Sequence, residues 1–353
     1  MTTTSNVPTG AAMSIDQSRR RFLSQLGIAG VASMGGLASA GLYSGSRSFA
    51  AEPPPEITTV TLEKIPGTCT APQFIAEALL RAEGFTDVRY RARDTDPVTE
   101  VTSKQIDWSQ AVAADAIADM DNGAPLTMVA GVHPGCYELI AHDYVRSITG
   151  LRGKTVGWSR GYVSSRYLVS LMAKFVGLDP HNDIRWVEDT GTDPMTLFVD
   201  RKIDAFLTSM PQSLELHDRG IGHTLVNSVT DRPWSQYFCC MLVGRTEFVQ
   251  NYPFATKRIV RAWLKAVDLC ASEPERMARL IVDKGFTPRY DYALQTLQEL
   301  PYGVWRDFDP EDTVRFFALR LNEAGYIKST PDRIITEHTN WRFINELKRE
   351  LKT

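Results

Sequence analysis

Residues 148–158 read ITGLRGKTVGW. Gly150 and Gly153 mark a turn, and the β-branched KTVGW behind them starts a new strand. GYVSSRYLVSLMAKFVGL (161–178) follows with helical spacing, Ser and Gly at its start and Gly177 at its end. Then come DIRWVE (183–188), a helix from about Asp193, KIDAFLTS (202–209), LELHDRG (214–220) and HTLVNS (223–228). The same alternation has already run once upstream. TTVTLEKI (58–65) is broken at Pro66-Gly67, and APQFIAEALLRAEGF (71–85), VRYRA (88–92), a helix over about 97–104, QIDWSQAV (105–112) and AADAIADMDNG (113–123) follow. LTMVAGV (126–132) and ELIAH (138–142) complete that first series. A strand–helix series that restarts predicts two α/β lobes, each a mostly parallel sheet flanked by helices, with a ligand cleft between them. After YFCCMLVGRTEFV the strands stop, and residues 252–353 read as a run of helices, several opening on Pro.

The bulk numbers agree with a sizeable core. The chain has 353 residues, 43% hydrophobic and 23% charged, with a net charge of −3 and no basic run beyond the N-terminus, so nucleic acid is not an expected partner. That N-terminus is distinctive. SRRRFL (18–23) precedes a stretch without charge from Phe22 to Ser46, which contains six glycines and ends at Ser48-Phe49-Ala50 before AEPPPE. A charged start, a weakly apolar middle and a small-residue cleavage site predict a cleaved signal over residues 1–50 and a linker over 51–56, rather than an anchor. SRRRFL resembles the twin-arginine motif, which implies export of a folded protein to the periplasm. Cleavage removes four arginines and Asp16 and leaves a net charge of −6, so an anion site has to be local.

Four sequences carry a family resemblance: VRSITGLRGKTVGW (145–158), VGLDPHNDIRWVE (176–188), DPMTLFVDRKIDAFLTSMP (193–211) and IDWSQAVAADAIADMDNGAPLTMVAG (106–131). In order and spacing they resemble the type II periplasmic binding proteins of the nitrate/sulfonate/taurine ABC importers. The resemblance runs over residues 57–352. It implies lobe 1 from 57–146 and 245–353, lobe 2 from 147–244, and crossings near 144–148 and 238–244. It further implies a non-enzymatic, monomeric solute-binding protein without cofactor. Its ligand would be a small organic solute, anionic or heteroaromatic, and its partners a membrane permease and ATPase, with the membrane met only through the permease. One position departs from the pattern, since Arg201 or Lys202 stands where the family has a small residue.

Helix starts at the carboxyl ends of strands suit an acceptor-rich or anionic ligand. The first offers Thr68, Cys69 and Thr70; the second offers Ser159, Gly161, Ser164 and Ser165, with Trp158 as a wall and Arg160 as a charge. Ser and Thr also cap helices of any function. His133, Cys136 and Tyr137 lie in GVHPGCYE, at once a strand-end loop and a Pro-Gly turn. Trp108, Trp234, Thr208 and Ser209 complete the candidates, with core packing as the alternative for the tryptophans. Cys69, Cys136, Cys239, Cys240 and Cys270 lack the spacing of a zinc site or disulfide scaffold, so no metal is expected. Two alternatives stay open. A metal-dependent enzyme of the same fold would be similar to the yeast-type thiamine-pyrimidine synthase, with its cysteine-rich motif near an iron site. A soft-metal protein would draw on Cys69, His133, Cys136 and Cys239.

Overall fold

A computed structural model describes residues 52–65, 67–92 and 97–351. The expected export signal lies outside the described residues. Among those described, no helix is long and apolar enough to cross a membrane.

Two five-stranded sheets organise the chain. The first contains β1 (Thr59–Glu63), β2 (Asp87–Arg91), β3 (Trp108–Val112), β4 (Leu126–Pro134) and β10 (Phe238–Arg245), in the order β2-β1-β3-β10-β4. The second contains β5 (Tyr137–Ala141), β6 (Thr155–Trp158), β7 (Arg185–Glu188), β8 (Ala205–Ser209) and β9 (His223–Asn227), in the order β7-β6-β8-β5-β9. In each sheet the strand arriving from the other sheet runs antiparallel to its neighbours: β10 against β3 and β4, β5 against β8 and β9. The remaining pairs, β1 with β2 and β3, and β6 with β7 and β8, are parallel.

This topology moves the expected first crossing. Because β5 belongs to the second sheet, the chain passes over at Gly135-Cys136, about ten residues before the 144–148 expected from the sequence. The return lies between Asn227 and Phe238, ahead of the expected 238–244, which is β10 itself inside the first sheet. The apolar run ELIAH identifies a strand correctly, but hydrophobic pattern carries no information about which sheet it joins. The Pro134-Gly135 turn, read as a loop, is the crossing.

The helices follow the sequence closely. They are α1 (Ala71–Ala82), α2 (Pro97–Thr102), α3 (Ala113–Asp121), α4 (Ser164–Phe175), α5 (Pro194–Val199), α6 (Gln212–Asp218), α7 (Thr246–Asn251), α8 (Pro253–Ser272), α9 (Pro274–Asp283), α10 (Tyr290–Glu299), α11 (Pro310–Glu323), α12 (Pro331–His338) and α13 (Arg342–Glu350). Within the opening stretch, Gly157 is needed for close approach, since a Cβ there would lie 2.5 Å from Ile203 Cδ1. At the end of α5, Arg201 takes φ 58°, with its N–H donating to the Phe198 carbonyl at 2.9 Å and the Lys202 N–H donating to the Leu197 carbonyl at 2.8 Å. This is a left-handed helix stop held by a residue with a Cβ, at the position where the sequence departs from the family pattern. Arg201→Gly is expected to raise stability by about 1 kcal/mol in urea unfolding. No gain would mean that the arginine side chain has a compensating contact.

The C-terminal helices complete the first sheet, with α8 lying on α1. A basic stripe on α8, Lys257, Arg258, Arg261 and Lys265, meets Glu52, Glu83, Glu346 and Glu350. Arg261 binds Glu83 in bidentate fashion, Nε to Oε1 at 2.9 Å and Nη2 to Oε2 at 2.8 Å. Burial pushes the Glu83 carboxyl up, and Arg261 more than offsets it, so the group titrates below its ordinary 4.5. Its contribution to stability is therefore present above pH 4.5 and lost as pH falls through the lower folded value. Glu83→Gln is expected to cost about 1.5 kcal/mol at neutral pH, the low end for a hydrogen bond to charge because the cluster is partly solvated. It should also flatten the acid limb of stability against pH, and an unaltered acid limb would remove Glu83 from this role.

Candidate functional site

The carboxyl ends of β1 and β6 each feed a helix, α1 and α4. A 3-10 turn over Thr68–Thr70 leads into α1, and neither α1 nor α4 has a side-chain cap. The hydroxyls that could cap them are sorted by the structure. Thr70 Oγ1 donates to the Ile65 and Gly67 carbonyls at 3.0 and 2.6 Å, and Ser165 Oγ donates to the Tyr162 carbonyl at 2.7 Å, so these two hold their own turns. Thr68 Oγ1 and Ser164 Oγ are buried and have no hydrogen-bond partner among the described residues. A buried hydroxyl without a partner is costly, so each helix start keeps one hydroxyl open to an added polar group.

Between these helix starts lies a thiol cluster. A ring nitrogen of His133 and the Sγ atoms of Cys136 and Cys240 lie within 4.8 Å of one another, all buried. Cys239 Sγ is 3.3 Å from Cys136 Sγ, and Cys69 hydrogen-bonds Cys136 and His133. Neighbouring residues of a regular strand face opposite sides, yet both Cys239 and Cys240 reach the cluster. The β4–β10 register shifts at Phe238, Cys240 and Met241, an irregularity that re-aims side chains. Cys136 has φ 131°, a conformation that costs a residue with a Cβ about 1–3 kcal/mol and that is held here by the crossing.

The titrations are uneven. Hydrogen bonds from the Cys136 and Cys239 thiols, with His133 adding to them, hold Cys240 well below the usual thiol range. Cys69 falls to about 7, chiefly through its hydrogen bond with Cys136. Burial raises Cys136 and Cys239. For His133 burial acts downward, but Cys240 beside it outweighs this and lifts the imidazole to about 10.

Aromatic residues enclose it. The Tyr162 hydroxyl donates to the Tyr137 hydroxyl at 2.6 Å, and the Cys136 and Cys69 thiols are close enough to raise Tyr162's pKa further, after burial. His133 stacks edge-on with Tyr302 at 5.1 Å, and the Tyr302 hydroxyl and Gln110 Nε2 donate to the Cys69 carbonyl at 3.0 and 3.1 Å. The two crossings are tied by Ser228, which accepts from the Tyr137 N–H at 2.9 Å and donates to its carbonyl at 2.8 Å.

Of the residues singled out from the sequence, Cys69, His133 and Cys136 come together in the thiol cluster, with Tyr137 beside it through Tyr162, while Thr68 and Ser164 lie at the two helix starts and Thr70 and Ser165 hold their own turns. Ser159 is half-buried at the start of the α4 loop, its carbonyl accepting from the Tyr162 N–H at 3.0 Å. Thr208 is occupied by Gln212 Oε1 at 2.9 Å. Three expectations are corrected. Trp108 opens β3 instead of ending it, level with Leu62 of β1, and packs on Phe248 and Gly244. Trp234 packs between Phe175 of α4 and Phe316 of α11. Arg160 is exposed and paired with Glu188 Oε1 at 2.6 Å. The cation beside Trp158 is Arg166, 5.0 Å from that ring and 5.4 Å from Trp186, with no ion pair among the described residues. Arg166, Tyr162, Tyr302 and Cys240 were absent from the sequence candidates. Cys240 had a visible signal in FCCM, whereas Tyr302 lies in a distant helical segment and had none.

The fold has known counterparts. The periplasmic nitrate-binding protein NrtA from Synechocystis PCC 6803 superposes with a TM-score of 0.71 at 15% identity, covering 84% of this chain and 90% of that one. The periplasmic aliphatic sulphonate-binding protein SsuA from Escherichia coli gives a TM-score of 0.63 at 16% identity, covering 79% and 96%. The desulfurization enzyme DSZB gives 0.58 at 14% identity, covering 83% and 99%. No curated protein matches in sequence. The architecture is therefore that of the periplasmic binding proteins, two mixed sheets with flanking helices. The profile described as NMT1/THI5 like matches residues 84–277, more than half of the chain. Because that profile spans more than half of the sequence, the chain belongs to the NMT1/THI5-like family.

Proposed function

We propose that this chain is the extracytoplasmic solute-binding component of an ABC importer, which holds a small acceptor-rich or anionic organic solute between its two sheets and delivers it to a membrane permease. The observation that carries the reading is the pair of uncapped helix starts with unpartnered, buried Thr68 Oγ1 and Ser164 Oγ. One belongs to each sheet, so a solute held by both favours the approach of the sheets, a ligand-driven closure. Arg166 supplies a local positive charge that the acidic body lacks, and Trp158 an aromatic wall. Nitrate and sulphonate binding by NrtA and SsuA support the anionic class. The fold in DSZB makes catalysis on the bound solute the competing reading. Recovery of the solute unchanged after release separates the two.

The test is a thermal-shift series with nitrate, short alkanesulfonates and short carboxylates. A true ligand at a hundred times its Kd stabilises the folded state by about 2.7 kcal/mol. Thr68→Val and Ser164→Ala are each expected to weaken the active compound about 10-fold or more, as loss of a charge-assisted hydrogen bond does. If no compound shifts the transition, or both variants bind as the parent does, the reading fails.

A further inference from the structure

The geometry points to a site for a thiophilic d10 ion, Zn(II) or Cu(I), held by His133, Cys136 and Cys240. This inference stands on the cluster alone and does not depend on the identity of any solute. Its ligands come from two separated parts of the chain: the end of β4 with the crossing that follows it, and the start of β10. The candidate ligand atoms of His133, Cys136 and Cys240 lie within 4.8 Å of one another, a spread that one ion can draw together. Sulfur and imidazole ligands select soft and borderline ions over Mg(II) or Ca(II).

His133 is already oriented as a ligand. Its Nδ1 lies 3.2 Å from the Pro134 carbonyl oxygen, which fixes the proton on that nitrogen in the neutral ring. Nε2 is then the lone-pair nitrogen, buried and turned to the Cys240 and Cys69 thiols. A backbone carbonyl on the far ring nitrogen is the usual outer support of a metal-bound histidine. Cys136 is aimed by its φ of 131° and Cys240 by the register shift in β10, two distortions whose joint result is convergence of thiols.

Charge balance agrees. Zn(II) with two thiolates and a neutral imidazole is uncharged, as is Cu(I) with one thiolate, and burial favours a neutral site. On binding, each coordinating thiol releases its proton to solvent and the ligand atoms donate lone pairs, with no change of oxidation state.

Full-length protein purified anaerobically in a thiol-free reductant is loaded with Zn(II) or Cu(I), dialysed against metal-free buffer and assayed for bound metal. One ion per chain is expected for at least one of the two metals. Cys136→Ser, Cys240→Ser and His133→Gln should each weaken it more than about 100-fold, beyond the loss of an outer-shell partner, while Cys270→Ala, a buried thiol outside the group, should not. Where a variant fails to fold, Co(II) or Cu(I) loading of the parent decides. A thiolate-to-metal charge-transfer band with Co(II), or in the ultraviolet with Cu(I), supports the site, and the absence of both overturns it. Stoichiometric binding of neither ion, retention unchanged in the cysteine variants, or a Cys136–Cys239 disulfide whose reduction restores no binding also overturns the inference.

Discussion

Gly135→Ala is expected to destabilise the protein by about 3–4 kcal/mol and to loosen the passage between the two sheets. Gly135 has φ 65°, and a Cβ there would lie 2.6 Å from Val229 Cα and 2.9 Å from Val229 N. Val229 belongs to the return crossing, so the new methyl would push the two connecting segments apart at the point where Ser228 and Tyr137 exchange hydrogen bonds. Neither obstacle is a flexible side-chain end. Left-handed backbone alone costs a residue with a Cβ about 1 kcal/mol, and the remainder is overpacking against main chain. Gly153→Ala separates the two terms, because Gly153 has φ 71° but open space where its Cβ would stand. It should cost only about 1 kcal/mol in urea unfolding, and equal losses at the two positions would remove the close approach of the crossings as the cause.

Trp263→Ala is expected to cost about 4 kcal/mol, within the range for loss of a fully buried tryptophan. Trp263 lies in α8 with no solvent exposure, and its Nε1 donates to Gln110 Oε1 at 3.3 Å. Gln110 in turn donates to the Cys69 carbonyl, so a core residue of the C-terminal helices steadies the turn that carries Thr68 and Cys69. Trp263→Phe keeps most of the volume and loses the donor, and should cost about 1–2 kcal/mol while weakening solute binding. Solute affinity unaffected by Trp263→Phe would break the proposed link between this core chain and the site.

The legibility of the sequence follows the range of the signals involved. The duplicated strand–helix series, the Gly-marked helix ends and the helical tail are local patterns, and the elements of both sheets lie close to where those patterns put them. Sheet membership is non-local. ELIAH has the same apolar pattern whichever sheet it joins, so the first crossing was expected in the polar segment after it and is found at Gly135-Cys136 before it. The helix starts at Thr68 and Ser164 were visible as Ser- and Thr-rich turns, but which hydroxyls are spent on their own backbone depends on turn geometry. Trp108 was misplaced by the length of its strand: QIDWSQAV was read as a strand from 105, but β3 starts at the tryptophan itself. The cysteines had no metal-site spacing because their convergence is made by a crossing and a register shift, and neither leaves a short-range motif. Tyr302 joins the site from the far end of the chain, across a separation of 233 residues from Cys69.

The central claim is that the space between the two helix starts holds a small solute. Native mass spectrometry of the protein purified without denaturation tests it most directly. A single non-covalent mass increment per chain is predicted, released intact on denaturation and lost or reduced in Thr68→Val and Ser164→Ala. A bare chain mass that no nitrate, sulfonate or carboxylate displaces, or an increment retained in both variants, would contradict the account.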